Sequence, residues 1–268
     1  YEELNELIGL ESVKEEVKSL ANFVKVQQQR KEHGMKTSSV SYHCVFTGSP
    51  GTGKTTIARI LARIYRDLGV VKKGHLVETD RSGLIAEYVG QTAVKTNALI
   101  DSALGGVLFI DEAYALLDGK GGYGDEAIAT LLKRMEDDRD RLVVIVAGYT
   151  NEMKNFIDSN PGLQSRFTRY IDFPDYSSAD LFKIFMLRAK KYGYVLDKDA
   201  AAYLQQSLDN TVAHKSRNFG NARYARNVFE KAITNQANRL GSVSNPTKAQ
   251  LSQLTLADIQ NACETTKN

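Results

Sequence analysis

The sequence predicts an α/β fold over residues 1–175, a three-layer domain around a five-stranded parallel sheet, followed by a smaller all-helical domain over residues 176–268. Three observations carry this reading. Val107–Ile110 and Leu142–Ala147 are apolar at every position, as strands buried on both faces are. Helical stretches alternate with short apolar runs, the order that builds a parallel sheet covered by helices. After Phe173-Pro174-Asp175 the strand-like runs stop and helical periodicity takes over.

The elements follow in order. Val13, Val17, Leu20, Phe23 and Val24 recur at helical spacing, so Glu11–His33 reads as an amphipathic helix, with a loop around Gly34–Ser39 behind it. Tyr42–Thr47 is a strand running straight into a glycine-rich turn. Ile57, Ile60, Leu61 and Ile64 give Thr55–Leu68 one apolar face. Leu76–Thr79 reads as a strand, Ala93–Ala103 as a helix, Val107–Ile110 as a strand and Glu126–Asp137 as a helix. Leu142–Ala147, the short helix Glu152–Asp158 and the strand Tyr170–Phe173 complete the first domain. In the second, Ser178–Tyr192, Lys198–Ser207, Asn221–Leu240 and Leu256–Glu264 read as helices, with Gly241–Lys248 a surface loop before the last.

Hydrophobic residues make up 42% of the 268 and charged residues 25%, enough apolar material for one large core and a small one. A net charge of +3 with no dense Lys/Arg block argues against a nucleic-acid partner. Cys44 and Cys263 have no metal-ligand spacing and make no disulfide framework; Cys44 sits in an apolar run and reads as a small buried hydrophobe. This chemistry suits a reducing, cytoplasmic setting. No apolar stretch has the length of a membrane span and no secretory leader opens the sequence. A start at Tyr1 rather than Met is expected of a piece of a longer polypeptide.

Gly48-Ser49-Pro50-Gly51-Thr52-Gly53-Lys54-Thr55 fits G-x-x-x-x-G-K-[ST] at every fixed position. Glycines let the backbone bend so that successive N–H groups point inward at phosphate oxygens, and the helix that follows aims its positive end at the same charge. Ser49, Pro50, Gly51, Thr52, Gly53, Lys54, Thr55 and Thr56 are the expected nucleotide contacts, with Lys54 on the β- and γ-phosphates and the Thr55 hydroxyl on Mg²⁺. Val107–Ile110 ends in Asp111-Glu112, two carboxylates at the carboxyl edge of the sheet, where such sheets bind ligands. Asp111 can hold the metal through its water shell, and Glu112 can polarise an attacking water as general base. The Asn-Lys-x-Asp motif that reads guanine does not occur, which favours ATP over GTP.

Phe46–Thr56, Lys95–Ala103, Val107–Leu116, Asp137–Tyr149 and Gly162–Tyr176 together make nearly the whole chain resemble an AAA+ ATPase. The resemblance is to the branch that holds the red-type rubisco activases (CbbX), the stage V sporulation protein K and the type VII secretion ATPase EccA. It implies a P-loop domain with a helical lid, and a ring, usually a hexamer, in which a neighbouring subunit completes each ATP site. On that alignment Arg166 matches the arginine finger, with Arg169 a second candidate, and Arg223 matches the second sensor, from the lid. Ile8-Gly9 matches the segment bordering the adenine. Glu87-Tyr88-Val89-Gly90 matches the loop that lines the pore, where Tyr88 and Val89 would grip a protein client; the alternative is a Tyr88 packed on its own domain. One departure concerns the first sensor. Many AAA+ proteins carry an Asn at the end of the fourth strand, and here the text is Ala147-Gly148-Tyr149-Thr150-Asn151. Thr150 is the straight alignment, and Asn151 fits only a shifted strand end.

The expected function is an ATP-driven ring that remodels or threads a protein client. The rival readings are a nucleic-acid motor or loader, and a slow nucleotide-dependent scaffold switch.

Overall fold

The computed structural model describes residues 1–38, 40–88, 90–119 and 121–266. Two compact units form, one of residues 1–48 and 53–173, the other of residues 49–52 and 174–268.

In the first unit α1 (Glu2–Glu6) and α2 (Glu11–Glu32) lead into β1 (Cys44–Gly48), α3 (Lys54–Asp67), β2 (Leu76–Thr79), α4 (Arg81–Leu84), α5 (Thr92–Ala103) and β3 (Gly106–Asp111). A 3₁₀ turn, Ala113–Leu117, precedes α6 (Tyr123–Asp137), β4 (Leu142–Gly148), α7 (Thr150–Asp158), α8 (Pro161–Arg166) and β5 (Arg169–Phe173). The strand order is β2-β3-β4-β1-β5, and every pairing is parallel. Position explains composition. Every residue of β4 is buried and β3 is buried up to Asp111, whereas β2, on an edge, is only partly covered. Helix α3 buries Ile57, Ile60, Leu61 and Ile64, the face its periodicity announces. The one-turn helices α1, α4 and α8 and the 3₁₀ turn went unread because they are too short to display a period.

In the second unit α9 (Ser178–Lys191), α10 (Lys198–Ala213), α11 (Ala222–Leu240), α12 (Lys248–Ser252) and α13 (Leu256–Thr265) pack together. The unit is helical except for one addition. β6 (Val195–Leu196) and β7 (Gln253–Leu254) form a parallel pair, two residues each and so too brief to leave a pattern in the sequence. The mostly buried Asp258 caps α13 through Thr255 and takes Arg239 of α11 at 2.8 Å, so one carboxylate ties two helices. No helix of the described residues is long and apolar enough to cross a membrane.

Register sets the working edge of the sheet. Phe46 of β1 lies opposite Ala147 of β4, and Ala147 lies opposite Asp111 of β3. Asp111, the last residue of β3, is therefore level with Ala147 and Phe46, and β4 and β1 run one and two residues further before the chain leaves them. At the other edge His43 accepts a hydrogen bond at Nδ1 from the Val144 N–H, 2.9 Å away. Burial, helped by the nearby Arg166 charge, pushes the imidazole pKa down to about 4.

The unfolded chain binds the His43 proton near pH 6.5 and the folded chain only near pH 4. Stability from this group is therefore complete above pH 6.5 and lost as pH falls through that window. In His43→Asn, Oδ1 can accept the same N–H without titrating. Urea unfolding from pH 7 to 4 should show wild type losing about 3 kcal/mol more than this variant.

Candidate nucleotide site

The segment between β1 and α3 turns sharply because its glycines permit it. Gly48 has φ +142°, and a Cβ there would stand 2.3 Å from the Phe173 carbonyl oxygen, so no other residue fits beside β5. Gly51 has φ +71°, and a Cβ there would meet the Gly220 carbonyl oxygen at 1.9 Å. Gly53, at φ +95°, is the N-cap of α3. The mostly buried Lys54 opens that helix and donates Nζ to the Gly48 carbonyl at 2.9 Å, so its ammonium lies across the turn. A turn closed by backbone, with a cation inside and a helix N-terminus behind it, is chemistry suited to phosphate.

Thr55 is half-buried on the first turn of α3 and Thr56 beside it is exposed. The Thr55 hydroxyl donates to Glu78 Oε1 at 3.5 Å, the long limit for a hydrogen bond, and Glu78 also meets Arg59 at 3.4 Å. Glu78, near the end of β2, was missed in the sequence. Its strand is read correctly, but nothing in a four-residue run says which loop its carboxylate faces.

Asp111 ends β3 and Glu112 follows in the left-handed region at φ +48°, which costs about 1–2 kcal/mol for a residue with a Cβ. The Glu112 N–H donates to Asp111 Oδ1 at 3.0 Å, fixing one carboxylate while the exposed Glu112 side chain turns to solvent. The two carboxylates line a cleft of about 390 Å³ together with Glu78, Thr79, Asp80 and Ser82. Hydrogen bonds from Ser82 hold the Asp80 carboxyl below its ordinary range. For Mg²⁺ the donor set is suitable: a threonine hydroxyl and an aspartate on neighbouring elements, all hard oxygen.

The remaining candidates fall in several places. Ile8 and Gly9 form the bend between α1 and α2, where Gly9 and Leu10 both have positive φ and Lys14 donates to the Leu7 carbonyl at 2.5 Å. β4 ends at Gly148, one residue beyond the expected Ala147. Thr150 then opens α7, Asn151 is one residue further on, and both are exposed. Arg166 ends α8 at the amino edge of the sheet: its carbonyl accepts from Ser41 at 2.5 Å, and Nη1 donates to Gly162 at 3.3 Å. Arg169 stacks on the Phe23 ring, 4.7 Å from its centroid, and donates to the Ser41 carbonyl. That second finger candidate is thus engaged within its own unit. Tyr88 is 67% exposed, so packing on its own domain is not what the structure shows. Val89 lies outside the described residues. Cys44 is buried, with its thiol pushed up to about 12, chiefly by burial, as an inert core residue should be.

In the second unit, which includes Ser49–Thr52, Arg223 is exposed on the first turn of α11. One residue earlier the Ala222 N–H donates to the Gly51 carbonyl at 3.0 Å. Asn221, fully buried, bonds to the Pro50 carbonyl at 3.3 Å. Asn221 also went unread as a site residue, since its neighbour Arg223 carries the recognisable charge.

The pattern of the AAA family, the ATPase family associated with various cellular activities, matches residues 44–175, and that of an AAA lid domain matches residues 177–268. The chain is 44% identical over 240 residues to stage V sporulation protein K of Bacillus subtilis (strain 168), covering 89% of this chain and 74% of that one. With protein CbbX of Cereibacter sphaeroides the identity is 45%, over 91% of this chain and 79% of the relative. With the ESX-3 secretion system protein EccA3 of Mycolicibacterium smegmatis it is 45%, over 96% of this chain but only 45% of the relative, so the chain spans under half of that protein. The solved structure of the FIGL-1 AAA domain in complex with ADP superposes with a TM-score of 0.68 at 19% identity, covering 98% of this chain and 83% of that one, a likeness of fold.

Glu112→Gln keeps the size and the backbone bond to Asp111 but cannot take a proton from water. Nucleotide affinity should be retained while ATP turnover falls on the order of 10²-fold or more, read by titration beside a phosphate-release assay. Turnover near wild type would remove Glu112 from the role of base. Lys54→Ala should instead weaken nucleotide binding itself.

Proposed function

This chain belongs to the AAA family of ATPases and is an ATP hydrolase; from that premise we propose that it works as a head-to-tail ring that spends Mg·ATP on remodelling a protein client. In this reading the backbone of Ser49–Gly53 and the helix end at Lys54–Thr56 hold the phosphates. Thr55 and Asp111 would hold the metal, whose charge would offset that building on the phosphate oxygens. Glu112, held at the mouth of the cleft by its left-handed backbone, takes the proton of the attacking water. Arg223 stands beside the loop tip as the sensor of the γ-phosphate, and Ile8-Gly9 borders the base.

The observation that carries the ring is the place of Arg166. β5 pairs with β1 from Arg169 opposite Cys44 to Phe173 opposite Gly48. Four residues of strand cover about 13 Å, and Arg166 precedes the pairing, tied to Ser41. A guanidinium there cannot reach the phosphate turn of its own chain. It can serve a second copy whose carboxyl edge faces this chain's amino edge. Such a contact joins two different surfaces, and repeated rotation closes it into a ring. The client reading rests on Tyr88, a large exposed aromatic in the loop after α4, with area to grip a polypeptide at small entropic cost. The relatives named for sporulation and for secretion suggest different clients on the same motor.

Arg166→Ala should lower turnover at least ~10³-fold while each chain still binds ATP. Mixing it with Glu112→Gln should restore part of the activity, because some sites in mixed rings then hold both residues intact. No recovery in rings shown to be mixed would place Arg166 outside the reaction.

Tyr88→Ala should change the melting temperature little, as a solvent-facing substitution costs about 0.5 kcal/mol or less. Basal hydrolysis should persist within about threefold while stimulation by a protein client is lost, the expectation for a grip separate from the ATP site. An early melt with lost basal activity would defeat the assignment.

A further inference from the structure

Asn221 holds a backbone conformation that glycine favours, φ +49° and ψ −121°, although its neighbour Gly220 could have taken that position. It is fully buried and its carboxamide is saturated. Oδ1 accepts the Tyr176 N–H at 2.9 Å, which fixes the orientation of the amide. Nδ2 then has three acceptors for its two hydrogens, Asp175 Oδ1 at 2.9 Å, the Phe219 carbonyl at 3.1 Å and the Pro50 carbonyl at 3.3 Å, so one hydrogen is shared. Lys215 meets Asp175 at 2.7 Å and steadies the far side of this cluster. Strain kept at a buried side chain with this many bonds is a sign that the carboxamide is needed where it is.

Its neighbours continue the pattern along the turn. The Ala222 N–H donates to the Gly51 carbonyl at 3.0 Å, and the Tyr176 hydroxyl reaches the Thr52 carbonyl at 3.4 Å. Three consecutive carbonyls, Pro50, Gly51 and Thr52, are thus drawn to one side by Asn221, Ala222 and Tyr176. No peptide bond among the described residues is cis, so each of these carbonyls is antiparallel to the N–H of the next residue. The N–H groups of Gly51, Thr52 and Gly53 must therefore point to the opposite side.

We propose that Asn221 is a positioning residue for nucleotide: with Ala222 and Tyr176 it orients the phosphate-facing N–H groups of the turn from behind, without touching the nucleotide. This rests on the reading of Gly48–Thr55 as the phosphate site. Orientation provided before binding lowers the cost of ordering the turn around a phosphate, so its loss appears as weaker affinity.

Asn221→Gly separates the side chain from the backbone, since glycine keeps the left-handed conformation and removes only the carboxamide. In the whole chain, titration with a fluorescent ADP analogue should show Kd raised about fivefold, the size of one lost hydrogen bond. KM for ATP should rise in step while kcat at saturation stays within about twofold, and the nucleotide-free melting temperature should fall by a few degrees at most. A lowered melting temperature with unchanged Kd and KM would show a structural role only and overturn the proposal. Tyr176→Phe, which keeps the ring and removes the hydroxyl, should raise Kd about twofold. If Asn221→Gly does not fold, this variant decides alone, an unchanged Kd counting against the proposal. Lys54→Ala is the control: if it binds the analogue as well as wild type, the phosphate-site reading fails, whereas a failure confined to Asn221 and Tyr176 sinks the positioning role alone.

Discussion

The register of three strands is the constraint on which the rest of the first unit depends. Phe46, Ala147 and Asp111 face one another across β1, β4 and β3, so the glycine turn after Gly48 and the Asp111-Glu112 pair leave the same edge of the sheet within two residues of each other. In a sheet with side-chain period two, a slip of one residue would turn Asp111 to the other face and bury its charge under a helix. Apolar throughout and buried on both faces, β3 and β4 carry no alternation that could select a register, so the terminal carboxylates select it, by staying in water.

From that edge outward the structure spends stability on geometry. Glu112 is left-handed and exposed, and Asn221 keeps a conformation suited to glycine. Each costs on the order of 1 kcal/mol or more, and each lies where the chain must present a particular group rather than pack well. The cores supply the margin. β4 is buried throughout, and Asp258 joins two helices of the second unit through a single mostly buried carboxylate.

The opposite edge of the sheet has a different character. His43 is neutral there because burial and the Arg166 charge both disfavour its protonated form, and it spends Nδ1 on the Val144 N–H. Arg166 is bound back to its own helix at Gly162 and to the strand entrance at Ser41. This end of the sheet thus holds a cation anchored by backbone, remote from the carboxylates of its own chain.

Much of the protein was legible in order along the chain. The helices with a clear apolar face, the two wholly apolar strands and the spacing of the phosphate turn report local physics, because backbone propensity and period act over a few residues. The sequence alone therefore determined the five-stranded α/β fold and its helical companion, the residues of the turn, and the carboxylates after β3. Elements shorter than a period, such as α8 and the β6–β7 pair, were silent. So was every relation between residues distant in sequence. That Glu78 faces Thr55, that Asn221 reaches Pro50 across 171 positions, and that Arg166 belongs to the far edge are decided by how strands order and helices pack. Tertiary structure alone settles these, because a hydrogen bond between remote residues depends on the register of everything between them, and no local pattern encodes that register.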